Sequence, residues 1–150
     1  MVNRRKYVLL IEDNPDDADL TKRAFSRHEF NNEIFHVANG LEALNFLFAR
    51  NGYADRDNEP LPTLVLLDLK LPQLHGLEVL KEIRSAERTR NLPVVVLTSS
   101  NDHRDIVESY QLGANSYVRK SVDYNEFSNA IRELGNYWLA LNVPPASNRL

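Results

Sequence analysis

The segment V65-LLDLKLPQLHG-76 decides how the rest of the chain is read. It opens on the apolar run Val65-Leu66-Leu67, as a strand covered on both faces would, and then stops on the carboxylate of Asp68, with Lys70 two places later. An acid at the end of a buried strand has no packing role. Leu69 and Leu71 flank it, and no helix that it could cap is expected before about Gln73. Asp68 needs a partner from elsewhere in the chain.

Similar apolar runs recur on either side. Y7-VLLI-11, T63-LVLLD-68 and P93-VVVLT-98 are continuous, E33-IFHVA-38 alternates, and S116-YVR-119 is short. Continuous runs suit strands of a parallel sheet, and the alternating one suits an edge. Helical patterns lie between them. Asn14-Pro15-Asp16-Asp17 caps a helix carrying Leu20, Ala24 and Phe25. Asn39-Gly40 opens one with Leu41, Leu44 and Leu47 or Phe48 on its face, and Leu77, Leu80 and Ile83 mark a third. Asp102-His103 begins a fourth, ending at Gly113. Asp123 with Glu126 is a capping-box variant at the head of a fifth. Alternating β and α units predict an α/β fold, a doubly wound five-stranded parallel sheet with right-handed crossovers. One domain is expected over residues 1–150, with a core from about 6 to 141 and a tail from 142 to 150. The one long polar connection is Arg50 to Pro62.

In such a sheet, ligands gather beyond the carboxyl ends of the strands. Those ends carry Glu12-Asp13, Asp68, Thr98 with Ser99 and Ser100, and Lys120. Three crowded carboxylates repel one another unless a cation or raised pKa values relieve them. Oxygen-only ligands suit Mg²⁺, which keeps several waters and favours phosphate partners. A hydroxyl and an ammonium nearby are poised for phosphoryl oxygens. Covalent chemistry of a carboxylate in that setting gives an aspartyl phosphate, which makes Asp68 the phosphoryl acceptor.

Composition narrows the alternatives. Net charge is −3, so no basic surplus exists for nucleic acid, and Arg4-Arg5-Lys6 reads as a solvated lead-in. Without cysteine, thiolate and disulfide chemistry are excluded. The apolar run after the basic lead-in meets Glu12-Asp13 too soon for a signal peptide, and no stretch approaches the roughly 18 apolar residues of a membrane span. A cytoplasmic protein is expected. His28, His36, His75 and His103 fall in separate elements and read as surface or structural.

The acid pair in I11-EDNP-15, the loop D68-LKLPQLHG-76, L97-TSS-100 and S116-YVRK-120 resemble the receiver domain of two-component response regulators, over essentially residues 6–141. The resemblance implies strand order 2-1-3-4-5 and phosphoryl transfer to Asp68 from the phosphohistidine of a histidine kinase. It implies that Asp13 and Asp68 ligate Mg²⁺ directly, Glu12 through water and Lys70 by its backbone carbonyl. Thr98 and Lys120 would bind phosphoryl oxygens. Tyr117 matches the aromatic switch position, with the surface of helix four, strand five and helix five as the readout. Lys70 and Ser100 occupy positions that tune the phosphoryl lifetime. Many receivers have proline after the lysine, where this chain has Ser121, which leaves the Lys120–Ser121 bond open between cis and trans.

Phe127, Ile131, Leu134, Trp138 and Leu141 form one stripe of the fifth helix. A helix from Asp123 to Leu141 is about 28 Å long against roughly 18 Å for a strand, so an end carrying Tyr137, Trp138, Leu139 and Leu141 should overhang the sheet. An exposed apolar end of that size predicts a homodimer through strand five, helix five and the tail, unless Val143-Pro-Pro folds back over it. No output domain is expected after the tail. The long helix, the Arg50–Pro62 connection and S109-YQLGANSYVRK-120 resemble the single-domain regulators that serve cyanobacterial phytochrome histidine kinases.

Rival readings fare worse. A flavodoxin-like binder lacks a Gly-rich loop, and its anionic ligand would meet three acids. A phosphatase using Asp68 as nucleophile would want a proton-donating acid where Lys70 stands. A degenerate receiver would not keep the full acid set.

Overall fold

The structure, a computed structural model, describes residues 6–27 and 33–145. Five parallel strands lie in the order β2-β1-β3-β4-β5: β1 (Tyr7–Ile11), β2 (Glu33–Val37), β3 (Leu64–Leu67), β4 (Val94–Thr98) and β5 (Ser116–Arg119). They alternate with α1 (Pro15–Arg27), α2 (Gly40–Leu47), α3 (Gly76–Ser85), α4 (His103–Gln111) and α5 (Tyr124–Gly135).

Helices on both faces explain the unbroken apolar runs. Leu9, Ile11, Val65, Leu67 and Val96 pack with Leu44, Leu47, Leu80 and Ile83, from α2 and α3. Their strand neighbours Val8, Leu10, Leu66 and Val95 turn the other way and pack with Ala24, Phe25, Ile131 and Leu134, from α1 and α5. The alternating β2 is an edge, with Phe35 partly exposed.

Side-chain caps fix where the helices begin. Asn39 accepts from Glu42 N at 2.8 Å, Asp102 from Arg104 N at 2.9 Å and Asp123 from Glu126 N at 3.1 Å. The expected capping box at α5 is relayed: Glu126 accepts from the Ser121 hydroxyl, and Ser121 Oγ accepts from Asp123 N. Gly113, at φ +101°, follows α4 in the left-handed conformation that suits a glycine. The Lys120–Ser121 bond is trans.

Three sequence expectations need correction. First, α3 opens at Gly76 rather than near Gln73. Gln73 takes φ +68°, and the cap is His75, whose Nδ1 accepts from Leu77 N at 3.1 Å. Second, Leu20 and Leu41 face outward. The buried faces are instead Ala18, Thr21, Ala24 and Phe25 on α1, and Gly40, Ala43, Leu44, Phe46 and Leu47 on α2.

Third, the end of the fifth helix is only half exposed. The helix does run to Leu141, but Asn136–Leu141 widens into π-helical turns. That wider spacing shifts the phase of the stripe and turns Leu139 inward, where it is buried and its carbonyl accepts from Lys6 Nζ at 3.1 Å. Trp138 is half-buried against the same core. Tyr137 and Leu141 still project, and Val143, 87% exposed, does not fold back over them.

The Arg50–Pro62 connection is less polar in place than in sequence. It carries 3₁₀ turns over Asn51–Arg56, and the Arg56 guanidinium lies 3.6 Å from the centre of the Phe46 ring. Tyr7, fully buried, donates its hydroxyl to Pro60 O at 2.7 Å and accepts from Arg56 Nη2 at 3.0 Å.

Candidate functional site

Each site residue sits where its strand runs out. Ile11 ends β1 and delivers Glu12 and Asp13. Leu67 ends β3 and delivers Asp68, whose amide donates to Ile11 O at 3.0 Å and so locks the two acid-bearing ends together. Thr98 closes β4, and Lys120, one residue past β5, donates its amide to Thr98 O at 2.8 Å.

Packing holds this arrangement. A Cβ built on Gly76 would lie 2.5 Å from Asp68 O and 2.6 Å from Leu69 Cα, so only glycine lets α3 start this close to the loop. His36, on β2, hydrogen-bonds the Glu12 carbonyl through Nε2 at 2.8 Å. It is therefore structural, as is the capping His75. His103 is exposed at the start of α4, and His28 lies outside the described residues.

The carboxylates do converge. Oxygens of Glu12, Asp13 and Asp68 lie within 4.8 Å of one another, with Asp13 exposed and the other two buried. An all-oxygen set of this size, open on the Asp13 side, fits a hard divalent ion. Bound there, such an ion would neutralise the carboxylates and draw in phosphoryl oxygens. The amide of Lys70 donates to Asp68 Oδ1 at 3.3 Å, while its side chain is exposed.

Lys120 supplies the positive charge. Its Nζ lies 2.5 Å from Glu12 Oε1, 2.9 Å from Asp17 Oδ2 and 3.2 Å from Asp68 Oδ2. Burial works against the ammonium, but the hydrogen bonds to Glu12 and Asp17 outweigh it and keep Lys120 charged well above its usual range. The two buried acids part company. Burial pushes the Glu12 carboxyl up to about 7 against the pull of Lys120, and Asp68 adds to the rise. Burial opposes ionisation of Asp68 as well. Hydrogen bonding from Glu12 and Thr98, together with Lys120, overcomes it and holds Asp68 below the ordinary carboxylate range. The surroundings thus favour ionisation of Asp68 and protonation of Glu12.

Beside this cluster lies a second network. Thr98, fully buried, accepts from Ser100 N at 3.4 Å. Ser100 donates its hydroxyl to Asp105 in α4 at 2.6 Å, and the half-buried Tyr117 donates its own to Ser100 O at 2.9 Å.

All seven residues expected from sequence, Glu12, Asp13, Asp68, Lys70, Thr98, Tyr117 and Lys120, therefore surround one end of the sheet. Asp17 and Asp105 were missed. Asp17 lies in the first turn of α1, where it reads as an ordinary helix-start acid, and only its contact with Lys120 sets it apart.

Known proteins place the chain further. Residues 8–132 match the response regulator receiver domain. The chain is 39% identical to the probable methanogenesis regulatory protein FilR2 of Methanothrix harundinacea, over 92% of this chain and 86% of that one. It is 34% identical to the response regulator Rcp1 of Synechocystis, over 97% of both. A crystal structure of Rcp1 with Mn²⁺ bound superposes at a TM-score of 0.85, covering 94% of this chain and 99% of that one. The phosphorylated cyanobacterial phytochrome response regulator RcpA superposes at 0.87, with 35% identity over 95% of this chain and 99% of that one. The chain belongs to the response regulator receiver family, whose members signal by phosphorylation in two-component systems.

Proposed function

We propose that Asp68 accepts a phosphoryl group from a histidine kinase in a Mg²⁺-dependent reaction, and that α4, β5 and α5 carry the resulting change of shape to a partner. The supporting observation is the pairing of an ionised, buried Asp68 with Lys120 inside a cluster of oxygen ligands. Asp13 and Asp68 would bind the ion directly, Glu12 through water and Lys70 through its carbonyl. Thr98 and Lys120 would hold the phosphoryl oxygens. As Thr98 moves toward them, the Ser100 contact that it shares with Tyr117 loosens and the Tyr117 ring repacks. Catalysis by the chain itself would be limited to self-phosphorylation from small donors and to autodephosphorylation.

Similarity to RcpA, a phytochrome response regulator, supports a phytochrome as the cognate kinase, and the match to Rcp1 over nearly its whole length supports a single-domain regulator. Among the described residues, no helix is long and apolar enough to cross a membrane. A homodimer through β5, α5 and the tail, including Trp138 and Leu141, draws support from the exposed Tyr137 and Leu141 and from a groove of about 420 Å³ lined by Val118, Leu134 and Trp138. Equal sedimentation of wild type and Trp138→Glu would count against it.

The decisive test is mass spectrometry after treatment with acetyl phosphate and Mg²⁺. Wild type should gain one phosphate and Asp68→Asn none. Retention of the increment by the variant would remove Asp68 from the role.

A further inference from the structure

An ammonium group has three hydrogens to donate, and in this structure each finds a carboxylate: Glu12, Asp17 and Asp68. A phosphoryl oxygen arriving at Lys120 needs one of those donors, so one carboxylate must give way. The three are not equivalent. The side chains of Glu12 and Asp68 are 2% and 9% exposed, and each would lose a buried hydrogen bond that water is poorly placed to replace. The Asp17 side chain is 37% exposed and water can take over its hydrogen bond. Asp17 also stands on α1, outside the trio of oxygens suited to a metal ion.

We propose that Asp17 is the partner which Lys120 gives up when the phosphoryl group arrives, and that it is a positioning residue setting how readily Asp68 is phosphorylated. This rests on Asp68 being the acceptor. With acetyl phosphate, Asp68 Oδ bonds to phosphorus, the bond from phosphorus to the acetyl oxygen breaks, and acetate leaves with that electron pair. Asp17 takes no part in bond making. It occupies the donor that the transferred group requires, so its removal releases that donor in advance.

The test compares the rates at which wild type, Asp17→Asn, Asp17→Glu and Asp16→Asn incorporate phosphate from acetyl phosphate at saturating Mg²⁺. Asp16 is the control, because it is exposed on the same first turn of α1 and does not contact Lys120. Loss of a partly exposed ion pair corresponds to roughly twofold to fivefold, so Asp17→Asn should react faster by that factor. Asp17→Glu, which keeps the carboxylate, should return toward wild type, and Asp16→Asn should change the rate by less than about twofold. The gain should persist at high salt, where a field effect on the anionic donor would be screened but the freed hydrogen bond would not. A purely structural role would lower the melting temperature of Asp17→Asn below that of Asp16→Asn without accelerating incorporation.

Overturning results are an Asp17→Asn rate equal to or below that of Asp16→Asn, or an acceleration that vanishes at high salt. Asp68→Asn in parallel separates the two readings. If it still takes up phosphate, both fall. If it does not and Asp17→Asn reacts like the control, only the role of Asp17 falls.

Discussion

At one end of β1 the Tyr7 hydroxyl is enclosed by Pro60 O and the Arg56 guanidinium, and at the other the Glu12 carboxyl is enclosed by Asp68 and Lys120. Both polar groups are buried, one at the first residue of β1 and one just past its last, yet their surroundings differ in kind. Around Tyr7 the partners are a carbonyl and a cation, and aromatic rings finish the packing: Phe46 stands edge-on to Tyr7 at 6.3 Å and stacks on Phe35 at 4.4 Å. Around Glu12 two buried acids share one ammonium, which helps to relieve Asp68 but leaves Glu12 raised. The first end is built to stay as it is, and the second is left short of positive charge for an incoming ion or group to supply.

That contrast can be broken by mutation. The largest effect is expected at the closed end, where Phe46→Ala removes the ring shared by Tyr7, Phe35, Tyr53 and Arg56 and should cost about 3–5 kcal/mol in urea unfolding. Divalent-ion affinity should hardly change under conditions where the variant is folded.

Next comes the pH dependence of the open end in metal-free protein. The Glu12 carboxyl is raised from 4.5 to about 7 by burial, so between those values the folded state holds a proton that the unfolded state has lost. Stability from this group is therefore full below pH 4.5 and declines by up to about 3 kcal/mol as pH rises through 7. Asp68 has the opposite sign: its folded pKa lies below 3.8, and its contribution is lost only as pH falls under that value. Thermal melts from pH 5 to 8 should show the Glu12 slope, and Glu12→Gln should flatten it. An unchanged slope in the variant would assign the proton elsewhere.

The smallest effect sharpens the comparison. Tyr7→Phe keeps the ring and deletes one hydroxyl, leaving Pro60 O without its donor, for about 1–2 kcal/mol in urea unfolding and no change in phosphate uptake.

Most of the fold was readable because its decisive features are local. The Val65-to-Leu67 run, the caps at Asn39, Asp102 and Asp123, and the glycine at 113 each act within a few residues. The site was readable because strand ends in a parallel sheet meet at one edge, which brought Asp68, Thr98 and Lys120 together. What escaped depends on phase or on distant partners. Leu20 and Leu41 satisfy a helical period yet face water, because Thr21 and Ala43 take the buried face instead. The π-helical end of the fifth helix depends on where Leu139 can be buried, which no repeat in the sequence records. Asp17 gains its meaning only from Lys120, 103 positions away.

The missing side chain at Gly76 gives the site a direction. With no room for even a methyl group between α3 and the Asp68 loop, that wall cannot yield when charge builds up beside it. On the other flank, the β4–α4 loop hangs on single hydrogen bonds through Ser100. Should Asp68 take up a phosphoryl group as proposed, the tight α3 flank leaves the side of α4 and Tyr117 as the easier direction for adjustment, so a local event would be passed on to one side.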